Sequence, residues 1–308
     1  MISYLVKKGL VLLTSFWLIL SVTFVLMHCI PGDPFIGDRV IPEEVLESLF
    51  SYYGLDQPLG VQYWKFLKSL CHGDLGVSIV YQGRSVKEFI SEGFPVSLQL
   101  GLQALLLSIS LGVFLGSFSA MKRGKWQDFL LMALSTLGIS APSFIFSILL
   151  QYIFCVKWPI LPVARWGGFE HTILPTLSLS VVPTAFIARL IRTSLLQVFE
   201  QDYIRTAFSK GLSPFYVFLH HGLKNALLPV LSYLGPLISS LFTGSFIIEK
   251  IFAIPGLGQW MIQSIHGRDY PVILGLTSFY SAFLLLCIFA TEILYPMLDP
   301  RIRLKTHA

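Results

Sequence analysis

His220 and His221 stand side by side. Neighbouring positions on a helix point about 100° apart, which is poor geometry for holding one metal ion between them. Packing within a loop is the simpler use, and the remaining histidines form no ligand cluster. Cys29, Cys71, Cys155 and Cys287 include no C-x-x-C pair, so neither a zinc site nor a redox motif is indicated. Ser135, Ser140, Ser143 and Ser178 sit among small apolar residues, where hydroxyls more often serve close helix packing than catalysis. There is no G-x-x-x-x-G-K-[ST] loop to cradle a nucleotide. Glu292 is an acid inside a long apolar run, a place where an ionisable group asks for a function or a partner. No catalytic constellation and no cofactor site emerges, so function must come from the elements that carry these residues.

Those elements are apolar. Of 308 residues, 54% are hydrophobic and 13% charged, against roughly 25% charged in soluble chains. The mean hydropathy is +0.72. So few charges cannot cover a soluble fold, so the surrounding solvent must be lipid. The net charge of +5 is modest, and the basic residues lie between apolar runs instead of in the basic stripe of a nucleic-acid binder.

A helix crosses the hydrocarbon with about 20 apolar residues, and backbone groups in lipid must bond within their own segment. Six segments qualify: Gly9–Ile30, Val96–Ala120, Phe129–Val156, Ile173–Leu196, Leu227–Ile248 and Val272–Leu298. The expected fold class is therefore an all-α integral membrane protein with six transmembrane helices. Gly138, Pro142, Pro183, Gly235 and Pro236 interrupt several of the runs. Lys7 and Lys8 resemble the basic start of a signal peptide, but no small-x-small cleavage site follows, and the segment reads as a retained first helix.

Basic residues mark the cytoplasmic side. With the N-terminus inside, the inner segments hold Lys7, Lys8, Lys122, Arg123, Lys125, Arg189, Arg192, Arg205, Lys210, Lys224, Arg301, Arg303 and Lys305. Their acids are Asp128, Glu200, Asp202 and Asp299. The outer segments carry Asp33, Asp38, Glu43, Glu44, Glu47, Asp56 and Asp74. Both termini are thus expected in the cytoplasm. Cys29, Cys71 and Cys155 then fall near the outer face, and a disulfide between two of them stays open.

The outer loop from Pro31 to Pro95 is too long for a connector. Pro42 opens the run Glu43-Glu44-Val45-Leu46 and Gly54 closes it, while Ser85-Val86-Lys87-Glu88 reads as a capping box before a short helix. The chain thus divides into a first helix with its terminus (1–30), an outer cap (31–95), a five-helix core (96–298) and a tail (299–308).

Within the core, the inner loop at about 197–226 carries the strongest signal. Asp202 suits a helix N-terminus and Lys210 the last turn. Gly211 suits the C′ position, where positive φ costs little. Ser213 with Pro214 is an N-cap followed by proline at the first helical position. The loop reads as helix, sharp turn, second helix. Such an elbow facing the cytoplasm could dock a soluble partner and carry force. The alternative is an ordinary solvated loop.

The same residues carry a family resemblance. Arg205-Thr206-Ala207, then Lys210-Gly211, then Leu228-Pro229 resembles the cytoplasmic loop of ABC importer permeases, usually written E-A-A-x-x-x-G with a later Leu-Pro. The Glu and the first Ala of that pattern are replaced. The Asp-Tyr-x-Arg-Thr-Ala-x-x-Lys-Gly form found here is similar to the peptide and nickel class. Other stretches fit in order: Pro31-Gly32-Asp33-Pro34, Leu55-Asp56-Gln57-Pro58, Gly73-Asp74-Leu75-Gly76, Arg189-Leu190-Ile191-Arg192, Phe252 to Gly258, Arg268-Asp269-Tyr270-Pro271 and Leu298-Asp299-Pro300-Arg301. Together they resemble the B-type permease of dipeptide and oligopeptide importers, with the type I, MetI-like fold.

The resemblance implies a machine. A second homologous permease completes the pore, two ABC ATPase subunits bind below and hold the ATP and magnesium, and an extracytoplasmic solute-binding protein delivers substrate. Alternating access in the lipid membrane is driven by ATP, and this chain is not itself an enzyme. Asp202, Arg205, Thr206, Ala207, Lys210 and Gly211 are the expected ATPase-coupling residues. Dipeptides, longer peptides, nickel complexes and glutathione-like solutes all remain open as cargo. Arg189 and Arg192 lie three apart on one helix face. Either they snorkel to the inner interface, or they form an intramembrane ion pair for which Glu292 is the candidate acid. A secondary transporter with Glu292 as coupling acid is the rival class. It would favour paired broken helices in two repeat halves, and no internal repeat is evident.

Overall fold

In the computed structural model the protein is described over residues 2–29 and 43–298. Pro31-Gly32-Asp33-Pro34, Asp38 and Pro42, and the tail with Asp299, Pro300, Arg301, Arg303 and Lys305, lie outside the described residues. The described chain is helical, with one isolated bridge between Val77 and Ser85. In order the helices are α1 (Ile2–Cys29), α2 (Glu43–Tyr53), α3 (Leu59–Cys71), α4 (Val86–Met121), α5 (Trp126–Ser140), α6 (Ser143–Gln151) and α7 (Glu170–Phe199). Then follow α8 (Asp202–Ser209), α9 (Pro214–Tyr216), α10 (Lys224–Ala226), α11 (Leu228–Phe242), α12 (Phe246–Ile251), α13 (Leu257–His266) and α14 (Tyr270–Leu298). π-helical turns fill Tyr152–Lys157 and Val217–Leu223.

Among the described residues, five segments are long and apolar enough to cross a membrane, and a bent pair brings the number to six if it counts as one span. That pair corrects the expected continuous helix Phe129–Val156. α5 ends at Ser140 and the chain bends by 102° before α6. The cause is local. Pro142 pushes Ala141 out of the helical region to φ −86° and ψ 134°. Proline does not break every helix here. α4 runs through Pro95, joining the expected capping helix at Ser85 to the expected span Val96–Ala120. α7 runs through Pro175 and Pro183, and α11 runs through Pro236 to break instead at Gly244, where φ is +89°.

The chain comprises two compact units. The first holds Met1–Val96 and Pro255–Leu285. One core there gathers Phe24, Met27, Ile79, Tyr270, Ile273 and Leu274 under the aromatic faces of α2 and α3. A second gathers Val86, Phe89, Leu257, Met261, Val272 and Leu276. As expected, Gly54 closes α2 with φ +67°, and the Leu55 N–H returns to the Phe50 carbonyl at 2.9 Å.

The second unit holds Ser97–Ile254 and Leu286–Ala308. Its core joins Ala104, Leu105 and Ala120 of α4 to Ile187, Ile191 and Leu195 of α7 and to Val230, Leu237 and Leu241 of α11. Small residues let these helices close. A Cβ added to Gly112 would stand 2.7 Å from the Ile187 Cβ, and one on Gly116 2.9 Å from the Ile191 Cβ. Glycine there is what permits close backbone approach in lipid, where no hydrophobic effect draws one helix to another.

Candidate functional site

The elbow follows directly on the end of α7. α8 starts at Asp202 and is capped at Lys210. Gly211 then takes φ +78°. The Gly211 N–H donates to the Phe208 carbonyl at 2.9 Å and the Leu212 N–H to the Ala207 carbonyl at 3.3 Å. This double bond pattern is a Schellman cap, which satisfies the last carbonyls of α8. Nothing lies within 4 Å of a Cβ built on Gly211, so its conformation, and not crowding, requires glycine. Ser213 caps the next helix by accepting the Tyr216 N–H at 3.3 Å, with Pro214 at the first helical position.

The side chains divide between anchoring and display. Ile204, Ala207 and Val217 form a small buried cluster with Val198 and Phe199, seating α8 against the end of α7 and the π-helical turn. Ala207, expected on the partner-facing surface, is therefore an anchor. Asp202, Arg205, Thr206, Lys210 and Gly211 are exposed. Asp202 and Arg205 pair at 3.7 Å, a surface contact of small worth. Thr206 donates to the Asp202 carbonyl at 3.0 Å.

Composition-based reading passed over the apolar half of the display. Phe215 is 71% exposed, Phe208 46%, and Leu212, Tyr216 and Leu219 are exposed with them. Their clustering around a turn of a segment expected in the cytoplasm was the available signal. Exposed apolar residues clustered in this way are uncommon on a surface that meets only water. The π-helical turn carries His220 and His221. The His220 ring stacks on Tyr216 at 4.1 Å, and Asn225 bonds the Tyr203 hydroxyl at 2.8 Å and the His221 carbonyl at 3.1 Å. The Asn225–Tyr203 bond ties the second arm of the elbow to α8.

Above the elbow, Arg192 meets Asp128. Arg192 Nε donates to Oδ1 at 2.6 Å and Nη2 to Oδ2 at 2.8 Å. The Ser119 hydroxyl adds a bond to Oδ1 at 2.5 Å and the Gly124 N–H one to Oδ2 at 3.0 Å. Asp128 is 4% exposed. One carboxylate thus ties the end of α4, the following turn and the start of α5 to α7. Bidentate guanidinium–carboxylate pairs are strong and directional. The acid that Arg192 holds is this one, on α5; Glu292 lies half-buried on α14, and Arg189 is exposed. Asp128 had read as a loop acid because it stands at the edge of its apolar run. A second link nearby, Arg123 to Glu200 at 3.0 Å, is exposed.

Two further acids went unread. Glu249 on α12 is fully buried, accepts from the Ser97 hydroxyl at 2.8 Å, and leaves no room for a side chain at Gly244. Glu292 is therefore not the most enclosed acid in the apolar segments. In the first unit, Asp269 is also fully buried. It accepts from the Ser78 hydroxyl and from the Ile79 N–H at 3.1 Å. Burial pushes the Asp269 carboxyl up from its ordinary value, against the pull of the bonds from Ser78 and the backbone of Ile79, Val80 and Val272. Cys29, Cys71 and Cys155 are free thiols. No group of His, Cys, Asp and Glu that could hold a metal occurs among the described residues.

Comparison with known proteins places these features. Residues 112–304 match the family described as binding-protein-dependent transport system inner membrane component, and residues 1–101 match its N-terminal companion. The dipeptide transport system permease protein DppB of Bacillus subtilis is 46% identical, covering 99% of each chain. The protein of the same name from Lactococcus lactis subsp. cremoris is 41% identical, over 99% of this chain and 100% of its own. The oligopeptide transport system permease protein OppB of Escherichia coli K12 is 38% identical, over 98% and 100%. Among solved structures, the MetNI methionine ABC transporter in inward-facing conformations matches 69% of this chain and 97% of its own, with a TM-score of 0.57 and 17% identity. An amino acid ABC transporter matches 68% and 93%, with a TM-score of 0.54 and 18% identity. These last two speak for the fold alone.

Proposed function

The chain belongs to the family of binding-protein-dependent transport system inner membrane components, and from that premise we propose that it is the B-type permease of an ATP-driven importer of dipeptides or oligopeptides. The cargo follows the names of its relatives. The observation that carries the coupling half of the proposal is the elbow, a doubly capped turn with a buried apolar anchor and an exposed aromatic face.

In this reading both termini and the elbow face the cytoplasm. Two ABC ATPase subunits bind and hydrolyse ATP with their own magnesium, and one of them seats the aromatic face of the elbow in a surface groove. Asp202, Arg205, Thr206, Lys210 and Gly211 form the polar part of that contact, and Ala207 holds α8 in place. Nucleotide-driven movement of the ATPase displaces the elbow. The elbow is anchored on the end of α7 through Ile204, Ala207 and Val217, so α7 moves with it. The Arg192–Asp128 pair passes that movement to the α4–α5 turn. A second homologous permease completes the pore, which opens alternately to either side, and an extracytoplasmic solute-binding protein loads it.

Co-purification of the tagged chain from its host membrane in mild detergent, with mass spectrometry of its companions, tests the assembly. ATPase subunits, a second permease and a solute-binding protein are expected. A chain that comes alone and transports in ATP-free vesicles overturns the proposal in favour of ion-driven transport.

A further inference from the structure

The turn between α4 and α5 carries Lys122, Arg123 and Lys125 in four residues. Its local charges do not cancel. Asp128 is consumed by Arg192, and Glu200 by Arg123. Lys122 and Lys125 have no ion-pair partner among the described residues. Gly124, at φ +76°, makes the turn tight and aims its N–H inward at Asp128. Lys125 is exposed and Lys122 half-buried.

Directly against this turn lies an apolar groove of about 380 Å³. Phe114, Leu115 and Phe118 of α4 form one wall, and Trp126, Leu130 and Leu131 of α5 the other. Trp126 is 71% exposed at the head of the groove, where an amphipathic ring belongs at a membrane interface. Gln127 also lines it, and its Oε1 is buried with no hydrogen-bond partner among the described residues.

We propose that this groove and turn bind one anionic phospholipid of the cytoplasmic leaflet, its acyl chain between α4 and α5 and its phosphate on Lys122 and Lys125. Two cationic side chains in the turn that joins the two walls of an apolar slot match the anionic headgroup and the acyl chain of such a lipid in order. Basic clusters at the cytoplasmic ends of membrane helices attract anionic headgroups over zwitterionic ones. The proposal rests on the cytoplasmic placement of this turn.

Trp126 supplies a probe. The full chain is placed in nanodiscs of phosphatidylcholine, and dibrominated phosphatidylglycerol or dibrominated phosphatidylcholine is added at equal mole fraction. Bromine quenches tryptophan fluorescence on contact, and subtraction of the Trp126→Phe variant isolates the groove. The expected result is that brominated phosphatidylglycerol half-quenches Trp126 at a several-fold lower mole fraction. Each of Lys122→Gln and Lys125→Gln should reduce that preference about fivefold, and added salt should weaken it too. Equal quenching by the two lipids, or a preference unchanged in the lysine variants, overturns the proposal. Quenching of the other tryptophans but not Trp126 also overturns it, because a protein chain then covers the groove. Loss of quenching at every tryptophan would instead contradict membrane insertion itself.

Discussion

Arg192 and Asp128, 64 residues apart in sequence, face each other through two parallel hydrogen bonds of 2.6 and 2.8 Å. The Asp128 side chain is nearly closed off and the Arg192 side chain keeps about a quarter of its surface. Removing one member leaves the other charged and poorly solvated, which is far worse than removing both. Arg192→Gln is expected to lower the stability of the detergent-solubilised chain by about 3 kcal/mol. Asp128→Asn combined with Arg192→Gln should lose less than the sum of the single changes. Thermal unfolding of the four chains reads the coupling, and simple additivity would show that the pair has no joint role.

Gly211 is expected to tolerate no side chain for conformational reasons alone. Gly211→Ala should destabilise the elbow by about 1 kcal/mol, and Gly211→Val by more, without creating any clash. Limited proteolysis would detect earlier cutting at the 210–213 turn. ATP-coupled uptake should fall while membrane insertion is unchanged. Normal uptake by Gly211→Val would contradict the coupling role.

Gly112 and Gly116 make the opposite kind of prediction, based on space. Gly112→Val and Gly116→Leu must part α4 from α7, because the added carbons meet Ile187, Ala188 and Ile191. Overpacking costs about 1 to 3 kcal/mol. Thermal melts should fall accordingly, and an unchanged melt would mean the helices are not in close contact.

These residues also show what could be read in advance. The apolar runs, the elbow with its Gly211 and Ser213 caps, and the start of α4 at Ser85 are local events, fixed by neighbours a few positions away. The pair Arg192–Asp128, the burial of Glu249 and the clasp on Asp269 are set by helices meeting across long separations, and no local pattern marks them. The broken third span falls between. Pro142 was visible as an interruption, but the prolines that α4, α7 and α11 run through look the same in sequence, and packing decides which one bends the chain.

Asp269 sets a pH dependence. Its carboxyl titrates higher in the folded chain than in the unfolded one, so the folded state holds more protons in the interval between the two values. Stability contributed by this group is full below the ordinary carboxylate value and is lost as pH rises through the raised folded value. Asp269→Asn should flatten that part of the curve of melting temperature against pH. An unchanged curve would place the slope on other acids.

The central claim is that ATP energy enters through the aromatic face of the elbow. The direct measurement is uptake of a labelled dipeptide or oligopeptide into proteoliposomes holding this chain with its second permease and ATPases, supplied with solute-binding protein. Native chain and Phe215→Asp are compared, with and without ATP. The account predicts uptake that requires ATP and falls by about tenfold or more in the variant, as loss of an exposed aromatic anchor would cause, with the chain still inserted and folded. Uptake that persists without ATP, or that is unchanged in Phe215→Asp, would contradict it.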